Sequence, residues 1–153
     1  MRVVVGCDSN GLALKRALIE ILRNDPRTKA IDDLGVHGSD DATVYPEIGF
    51  ALAQAIAEKK AERGLLICGT GIGMAISANK VAGIRAATTH DPYSLERAIL
   101  SNNCQIICMG AKVITVENAA KLIEQWLGYE FDTQSASQVK VERINSLEAE
   151  HRK

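Results

Sequence analysis

Aromatic side chains are scarce in this chain, with two Phe, three Tyr and one Trp in 153 residues. That leaves too few rings for the stacking platforms that hold single-stranded nucleic acid. Neither sign of charge prevails, with 18 Lys+Arg against 19 Asp+Glu, which argues against a nucleic-acid partner and against an acidic tail. No apolar run approaches the roughly 20 residues of a membrane span, and the sequence opens directly on an apolar strand pattern, so no leader or anchor is expected. A soluble cytoplasmic protein without a membrane partner is expected. The three histidines, His37, His90 and His151, are scattered, and no two stand at ligand spacing, so no metal site is expected. The four cysteines, Cys7, Cys68, Cys104 and Cys108, include no C-x-x-C pair and read as free thiols rather than a disulfide framework.

What is present is a regular alternation. Short apolar runs at 2–7, 29–34, 64–68, 84–88 and 105–109 predict strands, and longer amphipathic stretches at about 11–23, 44–60, 72–80, 92–102 and 115–127 predict helices. Such a chain buries one core. The expected class is α/β: a single three-layer α/β/α domain over 1–153, with a five-stranded parallel, Rossmann-like sheet. Asp25-Pro26 is expected to stop the first helix, Tyr45-Pro46-Glu47 to open the second, and Asp91-Pro92 to act as N-cap and first residue of the fourth. From about 128 the pattern changes to a polar, then charged C-terminal tail with too little apolar surface for a core element. It is expected either to wrap a partner subunit or to fray.

Ligands in open parallel sheets bind beyond the carboxyl ends of the strands, and one of those ends stands out. In Leu65-Leu66-Ile67-Cys68-Gly69-Thr70-Gly71-Ile72-Gly73-Met74 an apolar strand ends at a cysteine and three alternating glycines open a helix. Glycines there let backbone N–H groups of Gly69, Gly71, Ile72 and Gly73 converge, and the helix start adds partial positive charge. A thiol at the mouth of such a nest has its thiolate stabilised and can act as base or nucleophile. The same amides would stabilise an oxyanion on a bound substrate. Glycine-rich turns that only bind phosphate, and cysteines that are only buried, are the plainer alternatives. The turn lacks the last glycine of G-x-G-x-x-G, and no G-x-x-x-x-G-K-[ST] exists, which disfavours both NAD and ATP.

Together these residues resemble a known family. Ile67 to Met74, Asn79-Lys80-Val81 and Gly83-Ile84-Arg85-Ala86-Ala87, with Gly6-Cys7-Asp8, Tyr45-Pro46, Asp91-Pro92-Tyr93-Ser94 and Met109 to Ile114, are similar to the B-type ribose 5-phosphate isomerases and galactose 6-phosphate isomerase subunits over about residues 2 to 144. The resemblance implies aldose–ketose isomerisation of a small sugar phosphate through a cis-enediolate, without metal or cofactor. It implies Cys68 as the base, Thr70 assisting proton movement between sugar oxygens, and the Gly69–Gly73 amides holding the enediolate. It implies Asp8, Tyr45 and Asn102 as sugar contacts; Ser9 and Ser101 stand at places where the family has histidines and are candidate substrate contacts, as is His90, which lies on the same sheet edge and could substitute for the histidine absent at 101. Lys112, Lys140 and Arg143 are the implied phosphate ligands. The implied assembly is a homodimer or dimer of dimers, with the site at a subunit interface.

Two departures from the resemblance bear on the substrate. The family commonly has Asp-His after its first strand, where this chain has Asp8-Ser9. It commonly has a ring-opening histidine in the fourth helix, where this chain has Ser101. Serine has no pKa near neutrality and cannot replace a histidine acid–base. Ribose 5-phosphate, the family default, must be opened from its furanose, whereas a tetrose 4-phosphate has O4 esterified and cannot close that ring. Erythrulose 4-phosphate is therefore the alternative substrate. A non-catalytic phosphosugar-binding module is the alternative of another class, and a thiol-redox protein pairing Cys7 with Cys68 is a third.

Overall fold

The apolar runs form a parallel sheet, seen in a computed structural model that describes residues 1–152. In chain order the elements are β1 (Arg2–Cys7), α1 (Leu12–Asn24), β2 (Ala30–Asp33), α2 (Tyr45–Ala57), β3 (Arg63–Cys68), α3 (Ile72–Ala78), β4 (Ala86–Thr88), α4 (Pro92–Leu100), β5 (Ile106–Gly110), α5 (Val116–Trp126) and α6 (Gln138–His151), with a short 3-10 turn at Ser9–Gly11. The five strands are ordered β2-β1-β3-β5-β4, and each neighbouring pair is parallel.

The two-residue period of the strands divides the core. Val3, Val5, Cys7, Leu65, Ile67, Ile107 and Met109 point to one face, where they meet the apolar stripes of α1, α4 and α5. Val4, Leu66, Cys68, Ile106 and Cys108 point to the other, against α2 and α3. This is the expected three-layer α/β/α arrangement. Leu65, Leu66 and Ile67 are fully buried, and each such side chain contributes about 1.5–3 kcal/mol of transfer free energy.

Proline and caps fall where expected. α1 ends before Asp25, Pro46 sits in the first turn of α2, and Asp91 caps α4 by accepting from the Ser94 amide at 2.8 Å. α4 stops at Leu100, sooner than its apolar pattern suggests, and Asn103 just beyond takes a left-handed φ of 47°. β4 is only three residues long. Just before it, the Arg85 amide is taken by the Gln105 side chain at 2.9 Å instead of a ladder partner.

The tail differs from a frayed end. Residues 138–151 form α6, which buries only Val141 but is fastened by polar contacts to the segment between α3 and β4. Asn145 Oδ1 accepts from Arg85, Glu148 Oε2 accepts from the Gly83 amide at 2.7 Å, and Arg152 donates to the Lys80 carbonyl. Among the described residues no helix is long and apolar enough to cross a membrane.

The strand order fixes where a ligand can bind. The chain leaves β1 outward to β2 and returns to β3 on the opposite side of β1, so β1 and β3 flank the point where the winding reverses. The helices diverge there, leaving a crevice beyond the strand ends. Asp8 follows β1 at that point and Cys68 ends β3.

Candidate active site

Cys68 is 5% exposed and points to the α2/α3 face. It borders an open cleft of about 470 Å³, shared with Asp8, Tyr45, Gly69, Thr70, Ile72, Gly73, Ile76 and Lys112. The turn after it is built on glycine for identifiable reasons. Gly71 has φ of +79°, and a Cβ there would come within 2.9 Å of the Met109 carbonyl carbon. A Cβ on Gly73 would lie 2.5 Å from the Tyr45 ring, so the ring reaches the cleft only because residue 73 has no side chain.

The amides of this turn divide their work. Gly71 N–H donates to Cys68 Sγ at 3.1 Å, and Ile72 N–H donates to Thr70 Oγ1 at 3.3 Å. Two members of the expected nest therefore orient the sulfur and the hydroxyl. The turn is stitched to the next strand: Ala111 N–H donates to the Cys68 carbonyl at 2.8 Å and Lys112 N–H to the Gly69 carbonyl at 3.0 Å. Those bonds bring the Lys112 side chain against Gly69, where a Cβ would lie 3.7 Å from its Cδ; the sequence only placed it at a strand end. Thr88 Oγ1 donates to the Gly71 carbonyl from β4.

Across the cleft, the Asp8 amide donates to the Ile67 carbonyl at 3.1 Å. Its Oδ1 accepts from the Asn10 and Gly11 amides and its Oδ2 from the Asn10 side chain. Asp8 and Tyr45 also border an adjoining cavity of about 420 Å³ with Ser9, Ala42, Thr43 and Val44. Sequence reading missed Asn10 and Ile76. Asn10 carried a signal, an Asp followed two residues later by a potential Asx-turn partner; Ile76 carried none beyond helical spacing.

The other candidate residues lie elsewhere in the chain. Ser101 Oγ accepts from Arg97 at 3.1 Å, and Asn102 donates to the Arg97 carbonyl. Asn102 borders a different cavity, of about 480 Å³, with Ser94, Arg97 and Ile144. Lys140 and Arg143 are on α6, where Arg143 pairs with Glu150 at 3.1 Å. One copy of the chain thus assembles Cys68, Thr70, Asp8, Tyr45 and Lys112 but not these four.

The remaining thiols are held protonated by burial, which pushes Cys7 and Cys104 up to about 11 and Cys108 well above the usual thiol range. Cys7 packs on the α1 side of the sheet and Cys68 on the α2 side. The pairing that the redox reading required is blocked by the sheet itself. Among the described residues no group of three or more His, Cys, Asp and Glu could hold a metal ion.

A family described as Ribose/Galactose Isomerase matches residues 3–144 of this chain. The chain belongs to that family. It is 50% identical over 148 residues to a Mycolicibacterium smegmatis protein named D-erythrulose-4-phosphate isomerase 2, covering 97% of each chain. It is 41% identical over 152 residues to ribose-5-P isomerase B of Listeria innocua, covering 99% of this chain and 100% of the other. The structure of Clostridium thermocellum ribose-5-phosphate isomerase B superposes with a TM-score of 0.92 at 32% identity, over 99% of both chains. The protein is a sugar-phosphate isomerase.

In this isomerase His90 is committed to the scaffold. Its Nε2 accepts from the Gly110 amide at 2.8 Å, which only an unprotonated nitrogen can do. Burial lowers its pKa, opposed by the nearby Asp91 carboxylate. Below about pH 6.5 the unfolded chain takes up a proton that the folded chain resists. The contribution of His90 is therefore complete above that pH and is lost as pH falls toward the folded value. Urea unfolding at pH 7.5 and 5.5 is expected to show a fall in stability on acidification that is smaller in His90→Gln; an equal fall in both would remove His90 from the account.

Proposed function

We propose that this isomerase interconverts the ketose and aldose forms of a tetrose 4-phosphate, with D-erythrulose 4-phosphate as the ketose. Cys68 Sγ takes a proton from C1 of the open-chain ketose and returns it to C2. Thr70 Oγ1 moves the hydroxyl proton between O2 and O1, and amides of the Gly69–Gly73 turn stabilise the cis-enediolate oxygen between the two transfers. Asp8, Ser9 and Tyr45 hold sugar hydroxyls and Lys112 meets the phosphate. A lysine there is a point charge rather than a bidentate fork. The proton is conserved and no electrons leave the sugar, so no cofactor is needed.

The observation that carries the substrate is the absence of a ring-opening acid–base. The position where the resemblance leads one to expect a histidine is Ser101, already bonded to Arg97. His90, on the same sheet edge, has its Nε2 occupied by Gly110. An enzyme built this way suits a sugar that never closes a furanose. The names of the 50% and 43% identical relatives, both D-erythrulose-4-phosphate isomerases, support it. Ribose 5-phosphate is the second reading, favoured by the 41% identical relative.

We also propose that the site is completed by a second copy of the chain, in a homodimer or a dimer of dimers. Asn102, Ser101, Lys140 and Arg143 stand away from the Cys68 cleft of their own chain. The cleft mouth carries the exposed apolar side chains Ile72 and Ile76, 56% and 57% exposed, with Val44 and Phe50 nearby in α2 and its lead-in. Such a rim is the kind of surface that another subunit covers.

The test is turnover of D-erythrulose 4-phosphate and D-ribose 5-phosphate side by side. A kcat/KM ratio of about 10² or more in favour of the tetrose is expected, the usual worth of one positioned acid–base group. An equal or greater value for ribose 5-phosphate would overturn the assignment.

A further inference from the structure

Among the described residues, one charged side chain is fully buried outside the cleft. Lys15, on α1, is 1% exposed, a rare state for lysine. Its Nζ donates to Asp33 Oδ1 at 2.6 Å and to the Val36 carbonyl at 2.7 Å. Taking an ammonium out of water is costly even when it is paired, and an apolar side chain of the same length would fill the space without that cost. The position therefore calls for a reason other than packing.

The two oxygens that Lys15 grips lie at the start of the segment joining β2 to α2. Asp33 Oδ1 also accepts from the Gly35 amide at 2.9 Å, where the backbone turns through φ of +101°. From there the segment runs along the end of β1. Cys7 N–H donates to the Gly35 carbonyl and Val36 N–H donates to the Cys7 carbonyl, both at 2.6 Å. The residue after Cys7 is Asp8. On its other side the same segment is held by Arg16, which donates to the His37 carbonyl at 2.9 Å. Its far end supplies Ala42, Thr43 and Val44 to the cavity shared with Asp8 and Tyr45. One buried ammonium thus anchors the start of a segment that is bonded to the end of β1, just before Asp8, and that ends in the wall of the cavity beside Tyr45, while Lys15 itself lines neither the cleft nor that cavity.

We propose that Lys15 and Asp33 are positioning residues that set the 34–44 segment against Asp8, and so govern how tightly the sugar is held. This inference rests on the functional reading above, in which Asp8 and Tyr45 contact the sugar while Cys68 does the chemistry. Because the β3 turn that carries Cys68 and Thr70 is stitched to β5 and β4 rather than to this segment, loosening the segment weakens binding and leaves proton transfer largely in place.

The experiment compares wild type with Lys15→Met and Asp33→Asn, at a temperature where circular dichroism shows each fully folded. KM and kcat are measured on whichever sugar phosphate the wild type turns over, so a mistaken substrate assignment leaves the test intact. Lys15→Met removes both hydrogen bonds and is expected to raise KM about tenfold or more, given how steeply misplaced contacts are penalised, with kcat within about threefold. Asp33→Asn keeps an acceptor oxygen for Gly35 but leaves the buried ammonium without its counter-charge, and is expected to raise KM in the same direction with kcat again within about threefold. If Lys15→Met does not fold, Lys15→Gln, which keeps a donor but is too short for both oxygens, is expected to show the same rise. A lowered melting temperature with unchanged KM, or a fall in kcat without a rise in KM, would overturn the proposal and leave the pair a purely structural tie.

Discussion

Cys68→Ala is expected to lower kcat by about 10³-fold or more, the upper range for loss of a positioned base, while sugar-phosphate binding measured by calorimetry stays near wild type. The separation follows from the geometry. Asp8, Tyr45 and Lys112 line the cleft from elements other than the one that ends in Cys68, so the binding contacts survive removal of the sulfur. What is lost with Sγ is the proposed proton carrier and the acceptor of the Gly71 amide. The freed amide costs about 1 kcal/mol of stability, too little to unfold the chain. A variant that retains more than a tenth of wild-type turnover would place the base elsewhere.

A 1:1 mixture of Cys68→Ala and Asn102→Ala, each inactive alone, is expected to recover about a quarter of wild-type activity after subunit exchange. In a two-fold dimer half of the dimers formed at random are mixed. Each mixed dimer carries one site in which both substitutions fall together and one in which neither does. The expectation comes from the separation of the candidate residues in one chain. Asn102 borders the cavity beside α4 and not the Cys68 cleft, yet the resemblance makes it a sugar contact. No recovery, from a mixture shown by native mass spectrometry to contain mixed dimers, would mean that each chain works alone.

Much of the fold could be read from local chemistry. Parallel strands buried on both faces appear as short apolar runs, and helices as 3.6-residue periods between them. Asp25, Pro46 and Asp91-Pro92 mark their boundaries because a proline or a side-chain cap acts within one turn. The tail was harder to read. α6 has almost no apolar face, and what holds it, among other contacts, is a set of hydrogen bonds to Gly83, Arg85 and Lys80. Those partners are some 60 to 70 residues away, beyond the reach of any local pattern.

The candidate site divides along the same line. The sequence by itself determined the cysteine-glycine turn, because a close backbone approach and a left-handed φ demand glycine wherever the chain goes. It also determined that position 101 is a serine where the resemblance implies a histidine, since a side chain that is absent cannot be supplied by folding. Only the tertiary structure decided that the Gly71 and Ile72 amides serve Cys68 and Thr70, that Cys7 lies across the sheet from Cys68, and that His90 is tied to Gly110. It alone brought Lys15 to Asp33 and to the Val36 carbonyl. Each of these depends on which strands are neighbours and on which face a side chain emerges. Strand order and facing are set by packing the whole core, not by any stretch of residues read on its own.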